Sequence, residues 1–158
     1  MSERVPMSGA GYEKLEQELR RLKKVDRLEI VREIEAARAH GDLSENAEFH
    51  AAKEQQSHIE TRIMQVEDRL ARAQVIDPSG QTLDSVRFGV TVDLEDSDTG
   101  DSVSYTIVGE DETDVSNGRI SVTSPIAKAL LGKGVGASVT VRVPKGTREF
   151  EVLEIRFE

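Results

Sequence analysis

The chain has 158 residues, room for one domain or two small ones. Charged residues make up 32%, apolar residues 37% and aromatics 4%, which argues against one large packed core and suits long helices with a narrow apolar seam. The absence of Cys excludes a disulfide framework, a thiolate metal site and a cysteine nucleophile, and a net charge of −9 argues against tight, non-specific binding to duplex DNA. No apolar run approaches the ~20 residues of a membrane span, and residues 1 to 20 lack the apolar core of a signal peptide. The expected location is the cytoplasm, with no membrane partner.

Charge and composition both change near residue 76. Residues 1 to 75 hold 13 Lys/Arg and 15 Asp/Glu, whereas residues 76 to 158 hold 8 and 15. The nearly balanced first half leaves room for a local basic face against nucleic acid, while the acidic second half suits a basic protein surface. Between Tyr12 and Gln74 there is no Pro and Gly41 is the only Gly; from Asp77 onward Thr, Ser, Val, Gly and Pro take over.

In chain order, Leu15, Leu19 and Leu22 and then Ile30, Ile34 and Ala37 recur at spacings of 4 and 3, the period of an amphipathic helix. Between the two sets the seam falls on Asp26, with Val25 beside it, the mark of a stutter in a heptad. After Gly41, Phe49, Ala52, Ile59, Ile63, Val66, Leu70 and Ala73 keep the same spacing, with Gln56 as a polar seam position. Two helices of about 30 residues, each ~45 Å long, are expected to pack antiparallel because neither buries its stripe alone. Asp77-Pro78-Ser79-Gly80 is a turn signal and a hinge. Beyond it, Val86–Leu94, Val103–Val108, Ile120–Val122, Val139–Val143 and Phe150–Phe157 read as strands. One short helix interrupts them, with Ser124 as N-cap, Pro125 at the first position and Gly132 past its end. The expected fold class is α+β: residues 1–76 an antiparallel coiled-coil hairpin with an acidic tip, 77–80 a hinge, and 81–158 a globular domain built on a small antiparallel sheet.

The chemistry concentrates at the turn of the hairpin. Gly41 suits the left-handed residue that ends a helix. Asp42 and Glu45 stand three apart, the spacing of a capping box and equally that of two carboxylates able to share a divalent cation. Mg²⁺ accepts one or two protein carboxylates and completes its octahedron with water and phosphate, so such a pair would complete a site on another molecule. Arg38 and Lys53 flank the turn and read either as solvated surface or as a grip on a nucleic-acid backbone. His50, Glu54 and His58 share a helix face but lack a fourth ligand for zinc. Phe49 closes the seam at the end of the hairpin.

The run G-D-L-S-E-N-A-E-F-H-A-A-K-E-Q-Q (Gly41 to Gln56) resembles the tip of the bacterial transcript cleavage factors of the GreA/GreB family, nearer its GreA branch. Gly11–Leu15, Ala73–Asp77, Ile107–Gly109, Ile120–Val122 and Ser124–Ala127 extend the resemblance over nearly the whole chain. It implies an N-terminal coiled coil and a C-terminal domain with an FKBP-like sheet that docks at the rim of the RNA polymerase secondary channel. The coiled coil would enter the channel and stimulate the polymerase's Mg²⁺-dependent cleavage of the RNA 3′ end in backtracked complexes, so that elongation resumes. By position, the family's acidic pair falls on Asp42 and Glu45, sharing the polymerase Mg²⁺ and positioning water. Its basic residues, which contact RNA, fall on Arg38 and Lys53. Gly41, Ser44, Asn46 and Phe49 support the tip. Where the family usually has Tyr, Phe49 keeps the ring without the hydroxyl; Lys53 keeps the charge of the more frequent Arg without its planar fork. The resemblance further implies a monomeric effector rather than an enzyme, with no cofactor bound stably by the chain alone.

Three other readings can be set against the residues. A non-catalytic channel-binding inhibitor of the same architecture does not need both Asp42 and Glu45. A coiled-coil adaptor or chaperone needs an exposed apolar tip, and this one reads Gly-Asp-Leu-Ser-Glu-Asn. A prolyl isomerase needs an aromatic-lined pocket, which Phe88, Tyr105, Phe150 and Phe157 supply poorly.

Overall fold

The computed structural model describes residues 3–41, 46–80 and 82–158. They fall into two compact units, one of Tyr12–Arg72 and one that joins Glu3–Gly11 to Ala73–Glu158.

The first unit is a helical hairpin. Helix α1 (Gly9–Arg21), a π-helical segment (Leu22–Asp26) and helix α2 (Arg27–Arg38) run on without a break, and helix α3 (Ala47–Arg72) returns. Ser8 caps α1, its Oγ accepting the Gly11 amide at 3.0 Å, as an N-cap hydroxyl does at the third helical residue. The seam buries Leu15, Leu22, Ile30, Ile34 and Ala37 on one side and Ala52, Ile59, Ile63 and Val66 on the other. The expected stutter is realised as the π-helical turn. Leu22 and Ile30 stand eight apart rather than seven, and a π turn takes up one extra residue, so both remain in the seam. Val25, which the pattern placed beside it, is 43% exposed.

The helices run antiparallel, since Lys23 pairs with Glu67 at 3.1 Å while Arg27 holds Glu60 through two bonds of 3.0 and 2.8 Å. Exposed pairs of this kind contribute roughly 0.2–1 kcal/mol each. Burying one Leu or Ile contributes about 1.5–3 kcal/mol, so the seam outweighs its flanking charges in holding the hairpin.

In the second unit, strand β1 (Val5–Met7) pairs in parallel with β2 (Ala73–Val75), Val5 opposite Ala73 and Met7 opposite Val75. Composition alone places both segments in the hairpin half; the contacts group them with the β-rich unit, and Met7 is 1% exposed there. The Glu112 carboxylate fastens the same segment, accepting the Ser8 amide at 3.1 Å and the Ser8 hydroxyl.

Strands β3 (Val90–Asp96), β4 (Ser102–Val108), β5 (Arg119–Ser121), β6 (Ser138–Val143) and β7 (Gly146–Phe157) form one sheet in the order β5-β4-β3-β7-β6. All its pairs are antiparallel except β4 with β5, which is parallel. The expected wholly antiparallel sheet is therefore mixed. Two short 3-10 turns, Glu110–Glu112 and Val115–Asn117, reverse the chain twice between those strands. The first strand starts at Val90 rather than Val86 because Gly89 takes φ +88°, and a Cβ there would lie 2.5 Å from the Pro78 Cβ. Helix α4 (Pro125–Leu130) follows its sequence signals: the Ser124 hydroxyl accepts the Ala127 amide and Pro125 opens the helix. Ala127 and Leu130 pack with Val90, Val92, Leu94, Ile107, Val141, Phe150 and Val152 in the core of this unit.

One charged residue is built into that unit. Asp96 is 3% exposed; it accepts from Arg148 and from the Asp98 and Thr99 amides. The Arg148 guanidinium first, then those amides, holds its carboxyl below the ordinary range. A folded-state value below the unfolded one, about 3.9 for Asp, contributes stability that is complete above that value and lost as pH falls through the folded one. Thermal melts from pH 7 down to pH 2 are therefore expected to show a destabilising acid limb below about pH 4. Asp96→Asn should be less stable than the parent at pH 7 and show a shallower acid limb; parallel pH profiles would refute the assignment.

Candidate functional site

At the closed end of the hairpin, several of the helix-end groups have partners. A helix leaves its last four carbonyls and first four amides unbonded. On α2, the Glu35 carbonyl accepts the Ala39 amide, that of Ala37 accepts His40 at 3.1 Å, and that of Arg38 accepts Gly41 at 3.4 Å. Gly41 stands at φ +114°, the positive-φ exit its sequence position predicts. On α3, Asn46 is the N-cap: its Oδ1 accepts the Phe49 amide at 3.0 Å and its carbonyl accepts the His50 amide at 3.1 Å. The same side chain donates from Nδ2 to the Ala37 carbonyl at 2.6 Å. Asn46 thus bonds the end of α2 and the start of α3 at once.

Asp42, Ser44 and Glu45, singled out by the sequence, lie outside the described residues. Their surroundings still bear on the choice between cap and ligand. Helix α3 begins at Ala47, and the amide at its third position is already taken by Asn46. Asn46, not Asp42, is therefore the N-cap of α3. One or two carboxylates with open positions match Mg²⁺ shared with another molecule and do not make a closed site. Sequence reasoning placed Asn46 only among supporting residues. The signal for its cap was present, in an Asn directly before Ala-Glu-Phe with Glu48 in the first helical turn.

The two flanks of the hairpin differ in charge. Lys53, Glu60 and Glu67 recur every seven residues along one flank of α3, opposite Lys23, Arg27 and Arg38 on the other helix. The Lys23–Glu67 and Arg27–Glu60 pairs fix this alignment. Toward the tip this flank carries Arg38 on α2 and Lys53 on α3, cations where the inner levels have opposite charges. Both are exposed; Lys53 bonds the Gln56 side chain at 3.0 Å, and Arg38 has no carboxylate partner among the described residues. The opposite flank is a groove of about 700 Å³ with Ala36 and Ala51 on its walls and Glu29, Glu33 and Glu48 at its edges. Anions are therefore attracted to one flank of the tip and repelled from the other.

Phe49 is half-buried, and its ring meets that of His50 edge-on with centroids 5.6 Å apart. Its place at the end of the seam agrees with the spacing argument. His50, Glu54 and His58 are exposed, and among the described residues no group of three His, Cys, Asp or Glu side chains is placed to hold a metal. No helix among them is long and apolar enough to cross a membrane.

Comparison with known proteins covers both units. The family model "Transcription elongation factor, N-terminal" matches residues 5–75, and "Transcription elongation factor, GreA/GreB, C-term" matches residues 81–157. The transcription elongation factor GreA of Anaeromyxobacter sp. (strain K) is 58% identical over 155 residues, 98% of this chain and 93% of that protein. GreA of Thermodesulfovibrio yellowstonii is 52% identical over the full length of both chains. Among solved structures, GreA factor homolog 1 (Gfh1) of Thermus thermophilus matches at 33% identity and a TM-score of 0.45, over 98% of this chain and 99% of that one.

Proposed function

The chain belongs to the GreA/GreB family of transcription elongation factors, and from that premise we propose that it enters the secondary channel of a bacterial RNA polymerase in the cytoplasm and stimulates cleavage of the RNA 3′ end in backtracked complexes, so that elongation resumes. One observation carries the reading: the family matches both halves of a chain whose sequence bears two carboxylates, Asp42 and Glu45, at the turn of the hairpin.

The labour divides between the units. The β-rich unit docks at the channel rim, where its excess of acidic residues favours a basic protein surface. The hairpin is narrow, about 39 Å along its 26-residue return helix at 1.5 Å per residue, and suits a pore better than a flat interface. Asp42 and Glu45 bring negative charge to the polymerase active centre, where they hold a shared Mg²⁺ and orient a water. The chemistry supplied by bound cations in such a site is activation of water and stabilisation of the leaving oxygen. Arg38 and Lys53 hold the displaced RNA by its phosphates. The chain acts as a monomeric effector, and catalysis belongs to the complex. A non-catalytic occupant of the channel is not favoured, because both carboxylates are present.

The test is RNA cleavage in a stalled elongation complex with and without the full chain. Added chain should shorten the RNA from its 3′ end and restore elongation; an unchanged transcript would refute the reading. In the same assay Arg38→Ala/Lys53→Ala should cleave more slowly while still competing with the parent for polymerase. The difference should shrink as salt rises, since exposed phosphate contacts are screened. Unchanged cleavage by the double variant would return both residues to solvated surface.

A further inference from the structure

Among the described residues, the Asn46 side chain bonds across the closed end of the hairpin. The last buried seam residues before the turn are Ala37 and Ala52, whose single methyl groups bury little area and interlock weakly compared with the Ile and Val layers behind them. On the flank, the ion pairs Lys23–Glu67 and Arg27–Glu60 lie at the inner levels, and nearer the tip Arg38 and Lys53 bring like charge to the two helices. Against this stands one side-chain amide, with Oδ1 on the Phe49 N–H at 3.0 Å and Nδ2 on the Ala37 carbonyl at 2.6 Å. It is half-buried, so water competes less for both bonds than at a fully exposed site.

We infer that Asn46 is a positioning residue for the tip carboxylates. By holding Ala37 and Phe49 on one rigid amide plane, it sets the separation and relative orientation of the two helix ends between which residues 42–45 run. The inference rests on the reading in which Asp42 and Glu45 share the polymerase cation. A carboxylate presented to such a site must arrive within ~0.5 Å of its productive place, and a misplacement of about 1 Å can cost a hundredfold in rate. The cap and the cross-hairpin bond are separable by chemistry. Ser caps a helix about as well as Asn, but its shorter side chain has no amide to reach Ala37. Asn46→Ser therefore keeps the cap and removes the bond between the helices.

The experiment compares full-length parent, Asn46→Ser, Asn46→Ala and Asp42→Asn/Glu45→Gln. It reads thermal unfolding, competition for polymerase, and cleavage at saturating factor over a range of Mg²⁺ concentrations. Asn46→Ser is expected to melt and compete like the parent, to cleave roughly tenfold or more slowly, and to need more Mg²⁺ for half-maximal rate. Asn46→Ala adds a fall in melting temperature. In the parent, the Asn46 side-chain amide protons should exchange slowly with solvent by NMR. Parental cleavage and Mg²⁺ dependence in Asn46→Ser would overturn the inference, as would losses that merely follow melting temperature or competition, or a fast-exchanging Asn46 amide. Full cleavage by Asp42→Asn/Glu45→Gln would instead overturn the reading beneath it. Loss in that variant beside parental activity in Asn46→Ser would overturn the positioning role alone.

Discussion

Asp42→Asn and Glu45→Gln are each expected to lose most of the stimulated cleavage, about a hundredfold or more for the pair, since cation-borne charge stabilisation supplies several kcal/mol and each 1.36 kcal/mol is tenfold in rate. Melting temperature and polymerase binding should stay nearly constant. The substitutions keep size and hydrogen-bonding shape and remove only charge. Asn caps a helix as well as Asp, Gln can close a capping box like Glu, and the α3 cap belongs to Asn46 in any case. Raised Mg²⁺ should restore part of the rate, because a weakened site fills by mass action. The measurement is cleavage in a stalled complex beside a thermal melt and a competition assay. Stability lost in step with activity would favour a structural role, and full cleavage by the double variant would sink the metal-sharing mechanism.

The largest effect on stability is expected at Phe150. It is 1% exposed, stands opposite Val139 on β6 and Asp96 on β3, and lies under the Arg148 guanidinium at 5.1 Å from the ring centroid. Phe→Ala in such a core costs ~3–5 kcal/mol through lost transfer energy and an unfilled cavity. That is comparable to the whole stability of a small domain, ~5–15 kcal/mol. The melting transition of the β-rich unit should fall by at least about 12 °C, since each kcal/mol shifts a domain of this size by about 4–8 °C. Competition for polymerase should fall with it if that unit does the docking. Calorimetry of the full-length variant beside a competition assay checks both; an unshifted transition would remove Phe150 from the core, and intact competition with a shifted transition would remove docking from this unit.

The carboxylate pair could be proposed from sequence because its signal is local. The run from Gly41 to Gln56 sets out residue types and spacing within one turn of chain, and no distant contact is needed to read it. Asn46 was legible only as a supporting residue. Its cap bond lies within three residues, but the bond to Ala37 spans the hairpin, and no periodicity announces it. Arg38 and Lys53 could be named from sequence, yet their place on one flank follows from the register that Lys23–Glu67 and Arg27–Glu60 reveal.

What the sequence by itself determined is what short-range physics can encode. The apolar period of the seam, the glycine that ends α2, and the Ser124-Pro125 start of α4 each act within a turn or two, where side-chain size, caps and φ preferences decide the outcome. The tertiary structure alone decided the rest. Val5–Met7 finds Ala73–Val75 only because the chain between them folds back on itself, and strands of three residues carry too little pattern to be seen alone. The parallel pairing of β5 on β4 depends on two turns whose net reversal no local motif specifies. Asp96 reads as one more acid in an acidic turn until Arg148, from a strand far along the chain, comes over Phe150 and pairs with it. In each case the deciding partner lies far off in sequence, and its free energy is gained only after the intervening chain has closed, which is why composition and spacing are silent about it.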